Sequence, residues 1–315
     1  MNRDLLPHLP VIVAVARHSS FARAAAELQM SPSNVSHAVR AVENHLRQPI
    51  FVRTTRSVQL TEAGAALTQV AMPMLDDLDA VIDRLRASRG TVGGTLRLNA
   101  PRVAFPGVVR PLLHRMAETH PDLTVEVIAD DALADIVVGG FDAGIRLGNM
   151  VAQDMVIVRL SPPFRAIMVA SPAYIVKHGH PKTVADLRSH ACIGYRQLAS
   201  GGVYDWEMTD NGQDVAVRVS GPVRISDGLF ARDLALDGVG LAYVFEPLVR
   251  DDLDAGRLVH ILPETAIEEP GFFLYFPERQ RQSPKLRALI EVVRGMQKPA
   301  GITGGFPKLS NIGRL

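Results

Sequence analysis

The residues Pro32-Ser33-Asn34-Val35-Ser36-His37-Ala38-Val39-Arg40-Ala41-Val42-Glu43-Asn44-His45-Leu46 carry side chains suited to touching nucleic acid. Ser33, Asn34, Ser36, His37, Arg40 and Asn44 are short polar or basic groups that reach phosphate oxygens or base edges, and no carboxylate appears before Glu43. Ser31 is a good N-cap and Pro32 suits the first helical position, where its missing N–H costs nothing. Val35, Val39, Val42 and Leu46 form the opposite, apolar stripe of that helix. Upstream, Phe21 to Leu28 is an alanine-rich helix separated from it by Gln29-Met30-Ser31, which makes the pair a helix-turn-helix. A polar face on an isolated helix is more simply a solvated one. Here the cap, the short turn, the small-residue partner and the missing carboxylates agree on double-stranded DNA.

Other chemistry is sparse. There is no Gly-x-Gly-x-x-Gly, Gly-x-x-x-x-Gly-Lys, His-Glu-x-x-His or Gly-x-Ser-x-Gly, so no nucleotide loop, zinc protease or serine hydrolase is written here. His178, His180, His190 and Cys192 offer metal-ligand types, but not at the spacing of a standard structural site, so no metal and no cofactor is expected. Cys192 alone excludes an internal disulfide framework, and a buried inert thiol is the expected reading.

The elements that hold these groups follow from periodicity. Leu5 to His18 reads as a first helix. Ile50 to Arg53 and Ser57 to Leu60 read as two short strands, a wing whose Arg53, Thr54 and Arg56 would meet phosphates. Thr61 caps a long helix running to about Ser88. In it Leu67, Ala71, Met74, Leu78, Val81 and Leu85 alternate spacings of four and three, the seam of a two-helix coiled coil, so homodimerisation is expected there. From Thr95 the pattern becomes strands alternating with helices, an α/β arrangement with mostly parallel sheets. Strands are expected at Thr95 to Asn99, Leu123 to Ala129, Asp142 to Arg146, Met155 to Leu160, Arg165 to Ala170, Ala191 to Tyr195, Gly240 to Phe245 and Phe272 to Phe276. Helices are expected at about Phe105 to Thr119, after Ser226-Asp227, and at Pro284 to Met296.

The amino-terminal part resembles the LysR-type transcriptional regulators. Phe21, Ala24-Ala25, Leu28, Ser31, Val35-Ser36, Val42-Glu43 and Leu46, then Phe51-Val52-Arg53-Thr54-Thr55-Arg56 and Leu60-Thr61-Glu62-Ala63-Gly64, follow that family's pattern over about the first sixty-five residues. A weaker likeness runs to about residue 297. Where the family has Gly after the recognition helix, this chain has Arg47. The resemblance implies a multidomain chain. An all-α-type winged helix-turn-helix (1–61) leads to a linker helix and hinge (62–90). A two-lobed type 2 periplasmic-binding-protein-like α/β domain (91–300) and a flexible tail (301–315) follow. Lobe I would span about 91–161 and 267–297, and lobe II about 162–266. It also implies a homotetramer built from two dimers, on an operator containing dyad half-sites.

In open α/β sheets ligands sit beyond the carboxyl ends of strands. With two lobes, that rule names Ala100, Pro101, Arg102 and Arg146 from one lobe, and Tyr195, Arg196, Asp227 and Phe245 from the other. Arg102, Arg146 and Arg196 together would clamp a small organic anion as effector. Some of them are equally read as surface or interlobe ion pairs. The family often has Ser or Thr near Ala100, whose hydroxyl meets an acidic effector.

Composition is compatible with this. The chain has 315 residues, 47% of them hydrophobic, and a formal charge of +1, with no overall basic excess. Residues 1–62 hold seven arginines against four carboxylates, so the basic surplus sits with the helix-turn-helix. No apolar run reaches membrane-spanning length, and the first residues are not a signal peptide, which places the protein in the cytoplasm without a membrane partner. Two rivals remain open at this stage, a nucleoid-like DNA-binding protein and an enzyme carrying a DNA-binding head.

Overall fold

The computed structural model describes residues 5–53, 58–87, 92–132, 136–137, 139–151, 155–198 and 200–297. The chain enters through a 3-10 turn, Leu6–His8, that contains Pro7, and continues as α1 (Leu9–His18). The next helix, α2 (Phe21–Glu27), is capped by Ser20, whose hydroxyl accepts the Arg23 N–H, and α3 (Pro32–Leu46) is capped by Ser31, whose hydroxyl accepts the Asn34 N–H at 3.2 Å. Ala24 and Ala25 let α2 approach α1 and α3 closely, and Val11, Ile12, Val15, Val35, Ala38, Val39 and Val42 close the core. Leu46, expected at the end of the apolar stripe, is instead exposed. Arg47 takes the left-handed conformation usually given to Gly, with φ 53°, and its N–H bonds the Glu43 carbonyl. The helix therefore ends as the family pattern requires, with an arginine doing so. β1 (Phe51–Arg53) and β2 (Val58–Leu60) pair antiparallel, with Phe51 opposite Leu60, as the expected wing.

Thr61 caps α4 (Glu62–Ala87): its hydroxyl accepts the Gly64 N–H at 3.0 Å and donates to the Pro49 carbonyl at 2.7 Å. A Cβ on Gly64 would stand 2.2 Å from the Ile50 carbonyl oxygen, so only Gly lets α4 pack this close to the wing. The expected seam divides in two. Leu67 and Ala71 pack against Leu9 and Val13 of α1, together with Met72 and Leu75. Met74, Leu78, Val81 and Leu85 are exposed. The hinge expected from residue 89 falls partly, and the tail wholly, outside the described residues.

The first sheet of the second half holds β3 (Gly94–Ala100), β4 (Leu123–Ala129), β5 (Ala143–Leu147) and β6 (Met155–Arg159). Between β3 and β4 the chain passes a π-helical turn, Phe105–Val109, and then α5 (Arg110–Thr119). The second lobe begins with β7 (Phe164–Ala170) and α6 (Pro172–His178), followed by β8 (Gly194–Tyr195), the hairpin β9 (Trp206–Asp210) and β10 (Gln213–Val217), and β11 (Arg224–Ile225). It continues with α7 (Gly228–Leu236), β12 (Ala242–Phe245), α8 (Glu246–Asp254), β13 (Val259–Ile261) and β14 (Ile267–Glu269). The chain then returns to the first sheet as β15 (Phe272–Pro277) and ends in α9 (Pro284–Gln297).

The first sheet runs in the order β4-β3-β5-β15-β6, parallel up to β5, with β15 antiparallel to both of its neighbours. In the second, β12, β13 and β14 all pair antiparallel with β7. The expectation of mostly parallel sheets therefore holds for one side of lobe I and for the short β8–β11 pair of lobe II. Two strands that cross between lobes in opposite directions bring antiparallel neighbours with them. Because β14 pairs with β7 through Glu269, the return to lobe I falls at Pro270-Gly271. Alternation sorts the side chains: Ile167 and Val169 of β7 face one core, Met168 and Ala170 the other. Among the described residues, no helix is long and apolar enough to cross a membrane.

Gly64→Ala should destabilise the amino-terminal domain by about 1–3 kcal/mol, since the new methyl meets backbone rather than a side chain that can turn aside. Chemical denaturation of the full-length protein measures this; an unchanged midpoint would show that α4 is free to shift.

Candidate nucleic-acid interface and ligand cleft

The outward side of α3 follows from its inward one. Val35, Ala38, Val39 and Val42 are buried, which turns Ser33, Asn34, His37 and Arg40 to solvent and leaves Ser36 half-buried. Ser31 and Pro32 stand exposed at the leading end, where the Ser31 and Ser33 hydroxyls lie 2.8 Å apart. Glu43 does not join this face. Its Oε1 accepts the Ile50 N–H at 2.9 Å and the Phe51 N–H at 3.4 Å, tying the wing to the helix. Sequence reasoning assigned Glu43 no role; its place beside Val39 and Val42 was the available signal. The exposed leading face therefore holds donors and acceptors without a carboxylate. Arg53 closes β1, but its side chain, with Thr54 and Arg56, lies outside the described residues.

In the second half, the groups named from strand ends separate. Arg102 lies on the 3-10 turn after β3 and is exposed; its backbone N–H donates to Asp131 Oδ1 at 2.9 Å. Its guanidinium stands 3.9 Å from Asp131 Oδ2 and 3.9 Å from Asp227 Oδ2. Asp227 belongs to the other lobe, where its Oδ1 caps α7 by accepting the Leu229 and Phe230 N–H groups. These residues, with Ala129, Asp130, Leu198 and Ser226, line a cavity of about 280 Å³. Burial raises the Asp131 carboxyl above its ordinary range, the Arg102 N–H opposes that, and the charge on Asp227 adds to it. Tyr195, half-buried, has its phenol pushed up to about 12 by burial first, and then by Asp131 and Asp227. The lobes touch beside this cavity, where a Cβ on Gly228 would stand 2.7 Å from Val103.

Other expected members are not in that cavity. Arg146 lies inside β5 rather than at its end, because the strand continues to Leu147. Ile145 faces the core, so alternation turns Arg146 to the opposite face, where it is 3% exposed. There its guanidinium donates to the carbonyls of Ile145, Asp130 and Ala132 and, at 2.5 Å, to Asn99 Oδ1. Burial lowers its pKa. Ala100 is packed in the lobe I core, and Pro101 follows it in extended backbone. Arg196 is exposed and donates to the Gly201 carbonyl at 2.6 Å. Phe245 faces a wider groove of about 940 Å³, its ring 5.0 Å from Phe164 and 6.1 Å from Phe272. The three arginines thus do not form one clamp. Asp131 was missed, although it follows β4 at the same end of the sheet from which Arg102 was named.

The histidines near Cys192 are occupied otherwise. Tyr174 stacks on His178 at 4.5 Å and reaches His190 Nδ1 at 3.2 Å, while burial pushes the Cys192 thiol up to about 12. Among the described residues no cluster of His, Cys, Asp or Glu is arranged to hold a metal ion.

A model of bacterial regulatory helix-turn-helix proteins of the lysR family matches residues 6–65, and a LysR substrate binding domain model matches residues 89–298. The HTH-type transcriptional regulator YcaN of Escherichia coli K12, described as uncharacterized, is 37% identical over 281 residues, covering 89% of this chain and 92% of its own. PgrR, an HTH-type transcriptional regulator of the same strain, is 33% identical, covering 92% and 97%. Among solved structures, the full-length Vibrio cholerae virulence activator AphB matches with a TM-score of 0.64 at 21% identity, covering 92% of this chain and 98% of that one. CrgA, a LysR-type transcriptional regulator from Neisseria meningitidis, gives 0.59 at 26% identity, covering 93% and 99%.

Arg146→Ala should cost about 3 kcal/mol of stability, because it strands Asn99 and the buried carbonyls around it. Arg146→Lys should restore little, since one ammonium cannot span the same acceptors. Urea denaturation followed by tryptophan fluorescence reads both; wild-type stability in Arg146→Ala would return this arginine to the list of ligand contacts.

Proposed function

This chain belongs to the LysR family of transcriptional regulators, whose members are DNA-binding proteins rather than enzymes, and from that premise we propose that α3 enters the major groove of an operator with dyad half-sites while a small molecule in the interlobe cleft governs how paired copies engage it. The observation that carries the reading is the exposed side of α3, where Ser33, Asn34, His37 and Arg40 stand without a carboxylate because Glu43 is turned to the wing. Ser33, Asn34, His37 and Arg40 read base edges; Ser36 positions on phosphate; Ser31 and Pro32 lead the helix in. Arg53, Thr54 and Arg56 at the wing follow the backbone beside the groove.

Pairing runs through Met74, Leu78, Val81 and Leu85, which extend the stripe begun by Leu67 and Ala71 beyond the reach of α1. Two such dimers make a homotetramer in the cytoplasm. No cofactor takes part. The cleft at Arg102, Asp131 and Asp227, with Tyr195 at the end of β8, receives the effector.

Fluorescence anisotropy on the protein's own promoter and on scrambled duplex tests the DNA reading. Arg53→Ala should weaken binding to all sequences and lower the salt slope by about one, whereas His37→Ala should change preference among sequences. Equal effects of both on specific and random DNA would contradict the assignment. Leu78→Asp with Val81→Asp should convert the paired protein to smaller species by light scattering, with helix content unchanged; an unaltered mass would place the dimer contact elsewhere.

A further inference from the structure

Charge in the interlobe cavity is arranged for a ligand of a particular kind. Among the described residues that line it, Arg102 is the one cation, against the carboxylates of Asp130, Asp131 and Asp227. Asp130 is partly spent on the Ala132 N–H, which its Oδ1 accepts at 2.8 Å. The Asp131 side chain is 8% exposed, yet only one of its oxygens is satisfied: Oδ1 accepts the Arg102 N–H, and among the described residues no hydrogen-bond donor reaches Oδ2, which Arg102 Nε approaches only to 3.9 Å. Asp227, on the opposite lobe and open to solvent, also commits Oδ1 to the start of α7 and leaves Oδ2 3.9 Å from Arg102. One guanidinium therefore stands between two carboxylate oxygens without a hydrogen bond to either. Arg146 lies behind the loop that carries Asp130 and Asp131, its guanidinium committed to the Asp130 and Ala132 carbonyls and to Asn99; its charge offsets part of that on Asp130 and Asp131, but it does not line the cavity.

Resting on the reading that this cleft receives the effector, we infer that the effector carries a protonated amine, held between Asp131 of lobe I and Asp227 of lobe II, with an anionic group for Arg102: a zwitterion of the amino-acid type. A ligand bearing carboxylate alone would meet Arg102 flanked by two like charges, and would leave both carboxylates in the same short supply of donors. An ammonium supplies three donors and a positive charge where Oδ2 of each aspartate lacks them. It releases Arg102 to take the ligand's carboxylate. Since the amine bridges the two lobes, its binding also favours their closure.

The test uses the full-length protein in thermal-shift and calorimetric titrations. The probes are the standard α-amino acids, putrescine as amine without carboxylate, and succinate and benzoate as carboxylate without amine. At least one amino acid should raise the melting temperature, putrescine should do so more weakly, and succinate and benzoate should not. Asp131→Asn keeps an acceptor for the Arg102 N–H, so the fold is retained, and it should weaken the amine-bearing probe at least about tenfold. The same variant should bind succinate better than the wild type does. The inference is overturned if no amine-bearing probe stabilises the protein, if Asp131→Asn leaves that stabilisation intact, or if carboxylates alone act and lose their effect in Arg102→Gln. Ser226→Trp separates this from the cleft reading itself. A probe whose effect survives that substitution binds elsewhere, and then the cleft is not the effector site; a carboxylate whose effect is abolished by it leaves the cleft standing and removes only the amine.

Discussion

The backbone of Ile50 is the point at which the DNA-binding head is tied together. Its N–H goes to the Glu43 carboxylate of α3. Its carbonyl accepts both the backbone N–H of Thr61, at 2.9 Å, and the Thr61 hydroxyl, and Gly64 packs against that same oxygen. Recognition helix, wing and linker helix thus meet at one fully buried residue. A bond to a charged acceptor inside such a junction resists replacement, because each lost partner leaves another buried group unpaired. Arg47 makes the junction reachable: a left-handed residue is needed to reverse the chain after α3 so that Ile50 comes back to Glu43.

A different constraint organises the effector domain. Side chains on adjacent positions of a strand must face opposite sides, so the polar and apolar demands of lobe I are met on different faces of one sheet. Leu96, Leu98 and Ala100 build the core under α5 and α9, and Asn99 and Arg146 meet on the reverse face. What remains in the cleft comes from the loops after the strands, where alternation no longer dictates direction. Arg146 braces the loop after β4 from behind, through the Asp130 and Ala132 carbonyls, while Arg102 and Asp131 meet in front of it.

Much of this architecture is legible in the chain itself. The Ser31 cap marks the start of α3, period-four-and-three spacing marks α4, and Ser226-Asp227 marks the start of α7. The ligand site was less so. Locating a residue at a strand end requires the strand's last residue to within one position, because a shift of one reverses the side chain, and Arg146 fell on the wrong side of that limit. Ala100 failed for the same reason, its side chain being turned into the core. The hairpin β9–β10 and helices α6 and α8 were not anticipated; their stretches are short and mixed, with pairing supplied by distant segments. Antiparallel crossings cannot be read from local pattern at all, since direction depends on where the chain has come from.

The division of the α4 stripe has a mechanical meaning. Leu9 and Val13 grip Ala71 and Met72, so the reading head and the first turns of the rod form one packed unit, and the exposed apolar stripe begins at Met74. Pro73 stands at that boundary, where its missing N–H takes one hydrogen bond out of the helix. From Met74 the rod runs on to Ala87, about four helical turns at about 3.6 residues per turn, far enough from the head that a small change of direction at Pro73 becomes a large displacement at its end.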